Sequence, residues 1–321
     1  MEDRSKTEEA IKLLKSTIPE CNNNYIELFK IYVSLANYLR RDKNYDDAWE
    51  YILKAENILP HIDKVENAWE YGKFLNIRGL IEMERNKLKD AEEHCRESAE
   101  VRRKNGYIRE ALMSYNALGL ILQKLNNLNE AEEILNKVID QGIRIGYYRI
   151  YQQALRNLLL IYKEGLNSNR YNIDEYYKKI EQHYRVWNEY VSKKDYSYSD
   201  LTFAIDFVFG EVFKLVGNLE MAQYIFKQLY NHATKNYNEK WHNIARILDQ
   251  LRDIYKNNGQ TKEHLAVIGE LIELYANVIR DKNKLSELKG IKLNNAKDFL
   301  NNIKKDLNDY AYYVDSILKE I

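Results

Sequence analysis

The sequence predicts an all-α protein made of helical hairpins that stack into an α-solenoid. Its 321 residues include only 2 prolines and 12 glycines, which leaves few breaks and favours long helices with short connections. Alternating patterns typical of β-strands are scarce along the chain. Pairs of small residues recur 12 positions apart, and small side chains at matched positions allow two antiparallel helices to touch.

The small-residue pairs occur four times, each with a polar turn between the two members. An apolar residue follows four positions after each second member. The pairs and their apolar followers are Ala36 and Ala48 with Ile52, Gly79 and Ala91 with Cys95, Gly119 and Ala131 with Leu135, and Gly210 and Ala222 with Phe226. A glycine inside a helix costs roughly 1 kcal/mol relative to alanine. We therefore interpret these positions as close helix contacts, where packing offsets that cost.

This arrangement resembles the tetratricopeptide repeat (TPR), a pair of antiparallel helices. Ala48 and Ala91 are 43 residues apart, and Ala91 and Ala131 are 40 apart, whereas the motif repeats every 34 residues or so. Such lengthened repeats are similar to those of kinesin light chains and of bacterial TPR peptide receptors and adaptors. The resemblance implies a right-handed α-solenoid of about six TPR-like hairpins, whose first helices line a concave surface.

We expect four segments along the chain. Residues 1–28 form an N-terminal half-repeat or capping helix, and residues 29–194 form repeats one to four. Residues 195–282 form repeats five and six, and residues 283–321 form a C-terminal helix. The stretch "SKKDYSYSDL" is the clearest candidate for a flexible linker, and it separates repeats one to four from the rest.

The C-terminal helix carries apolar residues in a heptad pattern, which is typical of a helix that packs along a seam. Two interpretations stay open, a cap on the last repeat and a seam for a partner helix or a second copy. The candidate seam residues are Leu300, Ile303, Leu307, Tyr310, Val314 and Ile317.

Composition argues against several classes of function. Lys and Arg together number 49, as do Asp and Glu, and this zero net charge disfavours a nucleic-acid binder. The N-terminus has no secretory pattern and no apolar run is long enough for a membrane span, so we expect a cytoplasmic protein. The six histidines and two cysteines form no ligand or nucleophile motif. We expect no cofactor, no metal and no enzymatic activity.

A row of asparagines is the clearest candidate for function. Asn76, Asn116 and Asn157 are separated by 40 and 41 residues, close to the repeat period, and an amide offers both a donor and an acceptor. The TPR resemblance places them on the concave side, where they could bind the backbone of an extended peptide. The full set of predicted concave residues is Asn37, Arg40, Lys73, Asn76, Leu80, Met83, Met113, Asn116, Leu120, Gln123 and Asn157.

The sequence thus predicts a non-catalytic module that binds a peptide or a segment of a partner protein, with a regulatory role. One alternative is a receptor for a signalling peptide that resembles Gram-positive quorum-sensing regulators but lacks a DNA-binding domain. A second alternative is a scaffold subunit of a larger bacterial complex. The expected partner is a protein or peptide, and the chain could also form a homodimer or be a subunit of a complex.

Overall fold

Helices are the only regular secondary structure in the part of the chain that the computed structural model describes. The described residues are 2–21, 24–192, 199–236 and 241–280, with 298, 300, 301, 304, 314, 315 and 319. The helices are α1 (Glu2–Thr17), α2 (Tyr25–Arg41), α3 (Tyr45–Ile58), α4 (Ala68–Glu84), α5 (Leu88–Lys104), α6 (Ile108–Lys124), α7 (Leu128–Arg144), α8 (Tyr148–Asn167), α9 (Ile173–Ser192), α10 (Asp200–Leu215), α11 (Leu219–Asn236), α12 (Trp241–Asn257) and α13 (Thr261–Arg280). Short 3-10 turns follow α1 (Ile18–Cys21) and α3 (Leu59–His61). The predicted all-α class is confirmed.

The chain divides into two compact units, Met1–Ile161 (unit 1) and Tyr162–Ile321 (unit 2). In unit 1 the hairpins are α2 with α3, α4 with α5, and α6 with α7. In unit 2 they are α10 with α11 and α12 with α13. The end of α8 meets α9 through the rings of Tyr162 and Tyr176, whose centroids are 5.1 Å apart.

The turns inside the hairpins end each first helix with a residue in the left-handed conformation. Lys43 (φ 64°), Asn86 (φ 61°) and Asn126 (φ 64°) occupy this position in unit 1. After Lys43, the Asn44 N–H donates to the Leu39 carbonyl at 2.9 Å. This closure of the last helical turn satisfies carbonyls that the helix end would leave without partners.

The small residues lie at the close helix contacts that the sequence predicts. A Cβ atom added to Gly79 would lie 2.6 Å from the Cys95 Sγ atom, and one added to Gly119 would lie 2.7 Å from Leu135 Cδ2. Both distances are shorter than van der Waals contact. Ala91 and Ala131, the second members of these pairs, are fully buried. The interpretation of the pairs as contact points is therefore confirmed.

Aromatic packing distinguishes the core of unit 2. Trp187 of α9 is fully buried, and its Nε1 donates to Asp206 Oδ1 at 2.6 Å. Tyr184 packs edge-on against Phe209 and Phe213 of α10, with centroids 5.1 and 5.2 Å apart. Unit 2 also has a close helix contact of the predicted kind, because a Cβ atom added to Gly210 would lie 2.6 Å from Phe226 Cζ.

Candidate functional site

The first helices of neighbouring hairpins lie side by side in unit 1. Helix α2 contacts α4, and α4 contacts α6. The Lys73 Nζ of α4 donates to Ser34 Oγ of α2 at 3.2 Å, which fixes the register between these two helices. Residues 39 positions apart therefore face each other across this contact.

An asparagine occupies the same level of four successive first helices. Asn157 Nδ2 of α8 donates to Asn116 Oδ1 of α6 at 2.9 Å. Asn37 and Asn76 are 39 residues apart and lie three residues beyond Ser34 and Lys73 respectively, so they share one level by the helical spacing. We call the surface that carries Asn37, Asn76, Asn116 and Asn157 the asparagine face.

Asn76 differs from its neighbours because its acceptor has no partner. The residue is 8% exposed, and its Oδ1 atom is buried without a hydrogen bond. By contrast, Asn37 Oδ1 accepts from Arg40 Nη2 at 3.1 Å. A buried acceptor without a partner costs about 1–3 kcal/mol, and such a group in a folded protein calls for an explanation.

Two cations lie beside the asparagines. Burial lowers the pKa of both Arg40 and Lys73. Arg40 Nε is buried without a hydrogen bond. Among the described residues, no carboxylate oxygen comes within 4.0 Å of either cationic group. The asparagine face therefore holds positive charge that unit 1 does not neutralise at close range.

Glu70 is the acid of this face that lies nearest in sequence to Lys73. Burial raises the pKa of its carboxyl, while the charges of Lys73 and Lys30 act in the opposite direction. Its Oε2 atom is buried and accepts no hydrogen bond. The face thus carries a mixture of amides, cations and one desolvated carboxyl, of which Asn76 and Asn157 are buried.

The remaining predicted residues of the face are apolar or amphipathic. Met113 is 44% exposed, whereas Met83 is buried. Leu80, Leu120 and Gln123 are half-buried. Leu80 and Leu120 each follow an asparagine of the row by four residues, which places them one helical turn along the same face. The structure therefore arranges the predicted residues in rows, with the leucines beside the amides.

Sequence reasoning missed Ser34, Glu70 and Arg102. Ser34 carries a detectable signal, because it precedes Lys73 by one repeat length. Arg102 carries none, because it stands in the run Arg102-Arg103-Lys104, which is typical of a solvated last turn. It is nevertheless 4% exposed. Burial lowers its pKa to about 10.

Arg102 of α5 belongs to a hydrogen-bond network that links the second helix α5 to the first helices α4 and α6. Its Nη1 donates to Ser114 Oγ at 2.8 Å and to the Glu110 carbonyl at 3.0 Å, both in α6. The Ser98 Oγ of α5 donates to the Gly72 carbonyl of α4 at 2.6 Å. These bonds link α4, α5 and α6, so they fix the positions of Asn76 and Asn116.

In unit 2, the matching surface of α10 and α12 is rich in internal charge pairs. Lys214 Nζ lies 2.5 Å from Gln250 Oε1 and 3.5 Å from Asp253 Oδ2. The Lys163 ammonium pairs with Glu211 Oε1 at 2.7 Å. The guanidinium of Arg246 lies 4.1 Å from the ring centroid of Phe207.

The predicted C-terminal seam is only partly described. Leu300 and Val314 are fully buried, and Lys304 pairs with Asp315 at 2.6 Å. Ile303, Leu307, Tyr310 and Ile317 lie outside the described residues. Whether the segment caps the last repeat or receives a partner stays a prediction.

His94 and Cys95, two residues of types common in catalysis, are held in contacts within the fold. His94 Nδ1 lies 2.7 Å from Glu82 Oε2. Burial raises the pKa of the Cys95 thiol to about 12, which keeps it protonated and a poor nucleophile. Within the described ranges, no group of three or more His, Cys, Asp or Glu residues is placed to hold a metal ion. None of the described helices is long and apolar enough to cross a membrane.

Two clefts lie away from the asparagine face. The first, between α5, α6 and α7, has a volume of about 300 Å³, with Leu112 and Val138 among its apolar lining. Arg96 of α5 and Glu130 of α7 meet beside it at 2.9 Å. The second, in unit 2, has a volume of about 520 Å³ and includes Tyr224. The charged side chains around the first cleft are largely paired with one another.

Comparison with known proteins agrees with this architecture. Residues 114–141, which span most of α6 and α7, match the family model described as tetratricopeptide repeat. Comparison with curated protein sequences finds no match.

Two solved structures illustrate the similarity of the fold. The apo form of the quorum sensor NprR from B. thuringiensis aligns with 98% of this chain and 91% of its own, at 13% identity and a TM-score of 0.52. A Podosopora anserina kinesin light chain with nearly identical TPR-like repeats aligns with 69% of this chain and 100% of its own, at 15% identity and a TM-score of 0.52. The chain is thus an all-α protein with the fold of TPR-like solenoids, and residues 114–141 are a tetratricopeptide repeat.

Proposed function

We propose that this chain is a non-catalytic binding module whose asparagine face receives an extended peptide or an extended segment of a partner protein. The observation that carries the proposal is the row of asparagines, one on each of four successive first helices. Within that row, Asn157 donates to Asn116 at 2.9 Å, and the buried Oδ1 of Asn76 has no partner.

An extended backbone suits this row because it presents N–H and C=O groups at regular intervals. The amide of Asn76 can serve as acceptor or donor towards such a backbone. Asn116 has its Oδ1 engaged by Asn157, which leaves its Nδ2 hydrogens to meet a peptide carbonyl. A helical ligand satisfies its backbone groups internally and would leave the acceptor of Asn76 unmatched.

We also propose that this binding has a regulatory role. The quorum sensor NprR has this fold, and we propose that the ligand here is also a signal or a regulatory segment, bound in the cytoplasm. Its identity would come from elution of peptides that co-purify with the native protein, followed by mass spectrometry.

The test of the proposal compares peptide affinity in matched variants. A fluorescent array of capped heptapeptides with randomised positions supplies the probe, and fluorescence polarisation gives the dissociation constant of each peptide that binds. Asn76→Ala and Asn116→Ala should each weaken binding about tenfold, since each removes hydrogen bonds to a desolvated backbone. Circular dichroism should show unchanged helicity.

Asn231→Ala is the control, because Asn231 is an exposed asparagine on α11 in unit 2. It should bind as the parent protein does. The proposal fails if no peptide binds, or if both asparagine variants on the face retain the parent affinity.

A further inference from the structure

Arg40 is a desolvated cation that makes no ion pair within the described residues. Its pKa is lowered, first by burial and then by the charge of Arg41 beside it. Its Nη2 donates to Asn37 Oδ1 at 3.1 Å, and its Nε is buried without a hydrogen bond. Glu84 acts on Arg40 through its charge, but its carboxylate is not within 4.0 Å.

Two other partly shielded arginines of unit 1 reach carboxylates, whereas the more deeply buried Arg102 bonds to Ser114 Oγ and the Glu110 carbonyl. Arg78 pairs with Glu56 of α3 and with Glu82, the latter at 3.0 Å. Arg96 pairs with Glu92 and Glu130, both at 2.9 Å. A buried charge without a partner is destabilising. Arg40 is more exposed than Arg102 and lies on the asparagine face, so its partner can come from outside the chain.

The position of Arg40 determines what that partner can be. It lies one helical turn beyond Asn37, the first asparagine of the row, and its bond to Asn37 orients the guanidinium there. A peptide backbone that follows the row therefore passes beside Arg40. A guanidinium has five N–H donors in a planar fork that matches a carboxylate, and one of those donors is engaged with Asn37.

We propose that the peptide bound by the asparagine face carries an aspartate or glutamate side chain whose carboxylate pairs with Arg40. Arg40 is then the residue that selects acidic peptides over their neutral amide counterparts. The inference rests on the proposed function. Charge complementarity supports it, because Lys73 adds a second desolvated cation on the same face, with no carboxylate within 4.0 Å among the described residues.

The test uses pairs of peptides that differ only in a carboxylate. The probes are capped heptapeptides from the randomised array, each measured with Asp against Asn, or Glu against Gln, at one position. Capping both ends removes the terminal charges, so any preference comes from the side chain. The parent protein should bind the acidic member about tenfold more tightly at one position, as expected for a charge-assisted hydrogen bond.

Three variants identify the residue that is responsible. Arg40→Gln should abolish the preference, so that the acidic and neutral members bind equally, and Arg40→Lys should restore part of it. Arg144→Gln, a change at an exposed arginine in the last turn of α7, should keep the full preference. Thermal unfolding of each variant shows whether it folds.

The outcomes separate this inference from the proposed function. If peptides bind and Asn76→Ala weakens them, but acidic and neutral members bind equally, the acidic selection is wrong and peptide binding stands. A preference that survives in Arg40→Gln also overturns it. If Asn76→Ala and Asn116→Ala have no effect, the proposed function itself fails.

Discussion

The asparagine face of unit 1 and the surface of α10 and α12 in unit 2 differ in whether their charged side chains form ion pairs. In unit 2, Lys163 and Lys214 reach Glu211 and Asp253 of the same unit. On the asparagine face, the described residues give Arg40 one side-chain hydrogen bond, to the neutral amide of Asn37, and give the acceptor of Asn76 no partner. Since both surfaces belong to the same fold, the fold does not determine this difference. Among the described residues, particular side chains leave polar groups without partners on one surface and pair them on the other.

The largest effect is expected at Glu82, where unit 1 pairs charged groups away from the asparagine face. Glu82 is 1% exposed, and its carboxylate contacts both Arg78 and His94. Glu82→Gln should lower the free energy of unfolding by about 2–3 kcal/mol, because it leaves partly buried cationic groups without their partner. Urea denaturation followed by circular dichroism measures the change.

Glu133→Gln is the control for that experiment, because its carboxylate makes an exposed pair with Lys137 on α7. It should change the free energy of unfolding far less than Glu82→Gln does. If both variants are equally stable, charge pairing in unit 1 is energetically unimportant. The open cations of the asparagine face would then need no explanation.

Removal of a charge should change the free energy of unfolding in opposite directions on the two surfaces. Arg40→Met removes a desolvated charge that has no ion pair, so the free energy of unfolding should stay the same or rise by up to about 1 kcal/mol. Glu211→Met removes the partner of Lys163 and should lower it by about 1 kcal/mol. Denaturation curves of the two variants, with Arg144→Met as an exposed control, give both values.

A loss of stability in Arg40→Met would mean that the arginine serves the folded chain rather than a ligand. Arg40 would then no longer distinguish the asparagine face from the surface of α10 and α12. If Glu211→Met is neutral, the ion pairs of unit 2 contribute little, and the difference between the surfaces lies in the unpartnered groups of unit 1 alone.

Much of the fold and part of the candidate site could be predicted from spacing. Small residues 12 apart indicated the contacts that Gly79 and Gly119 make with Cys95 and Leu135. The separation of Asn116 and Asn157 by one repeat placed them on adjacent helices, where they form a hydrogen bond. These features follow from helical periodicity, which a single sequence displays.

Other parts of the site depend on tertiary contacts that no spacing reveals. Arg102 is buried because Gly72 has no side chain, so that a Cβ added there would lie 2.8 Å from Arg102 Cγ. Ser98 and Ser114 surround it with hydroxyl groups from two helices. That Asn76, unlike Asn116, lacks a partner depends on the same packing. Their spacing in the sequence does not distinguish Asn76 from Asn116 in this respect.

The smallest expected effect is a dependence of stability on pH that arises in unit 1. The pKa of His94 is raised above its ordinary value of 6.5, first by its hydrogen bond to Glu82 and then by the charge of that carboxylate. Arg78 and burial act in the opposite direction, and a hydrogen bond involving the Asp90 backbone adds to the increase. His94 therefore binds its proton more tightly in the folded chain than in the unfolded chain.

A histidine whose folded pKa is raised stabilises the protein fully below its unfolded pKa, and this contribution is lost as the pH rises through the folded pKa. The free energy of unfolding should thus fall between pH 6 and pH 8 by more in the parent protein than in His94→Gln. His232 of unit 2 titrates in both proteins, and burial lowers its pKa, so the difference between the two curves isolates His94. Parallel curves would show that the bond between His94 and Glu82 does not depend on protonation. The charge network of unit 1 would then lack its positive histidine, and the contrast with the open cation at Arg40 would rest on Arg78 and Arg96.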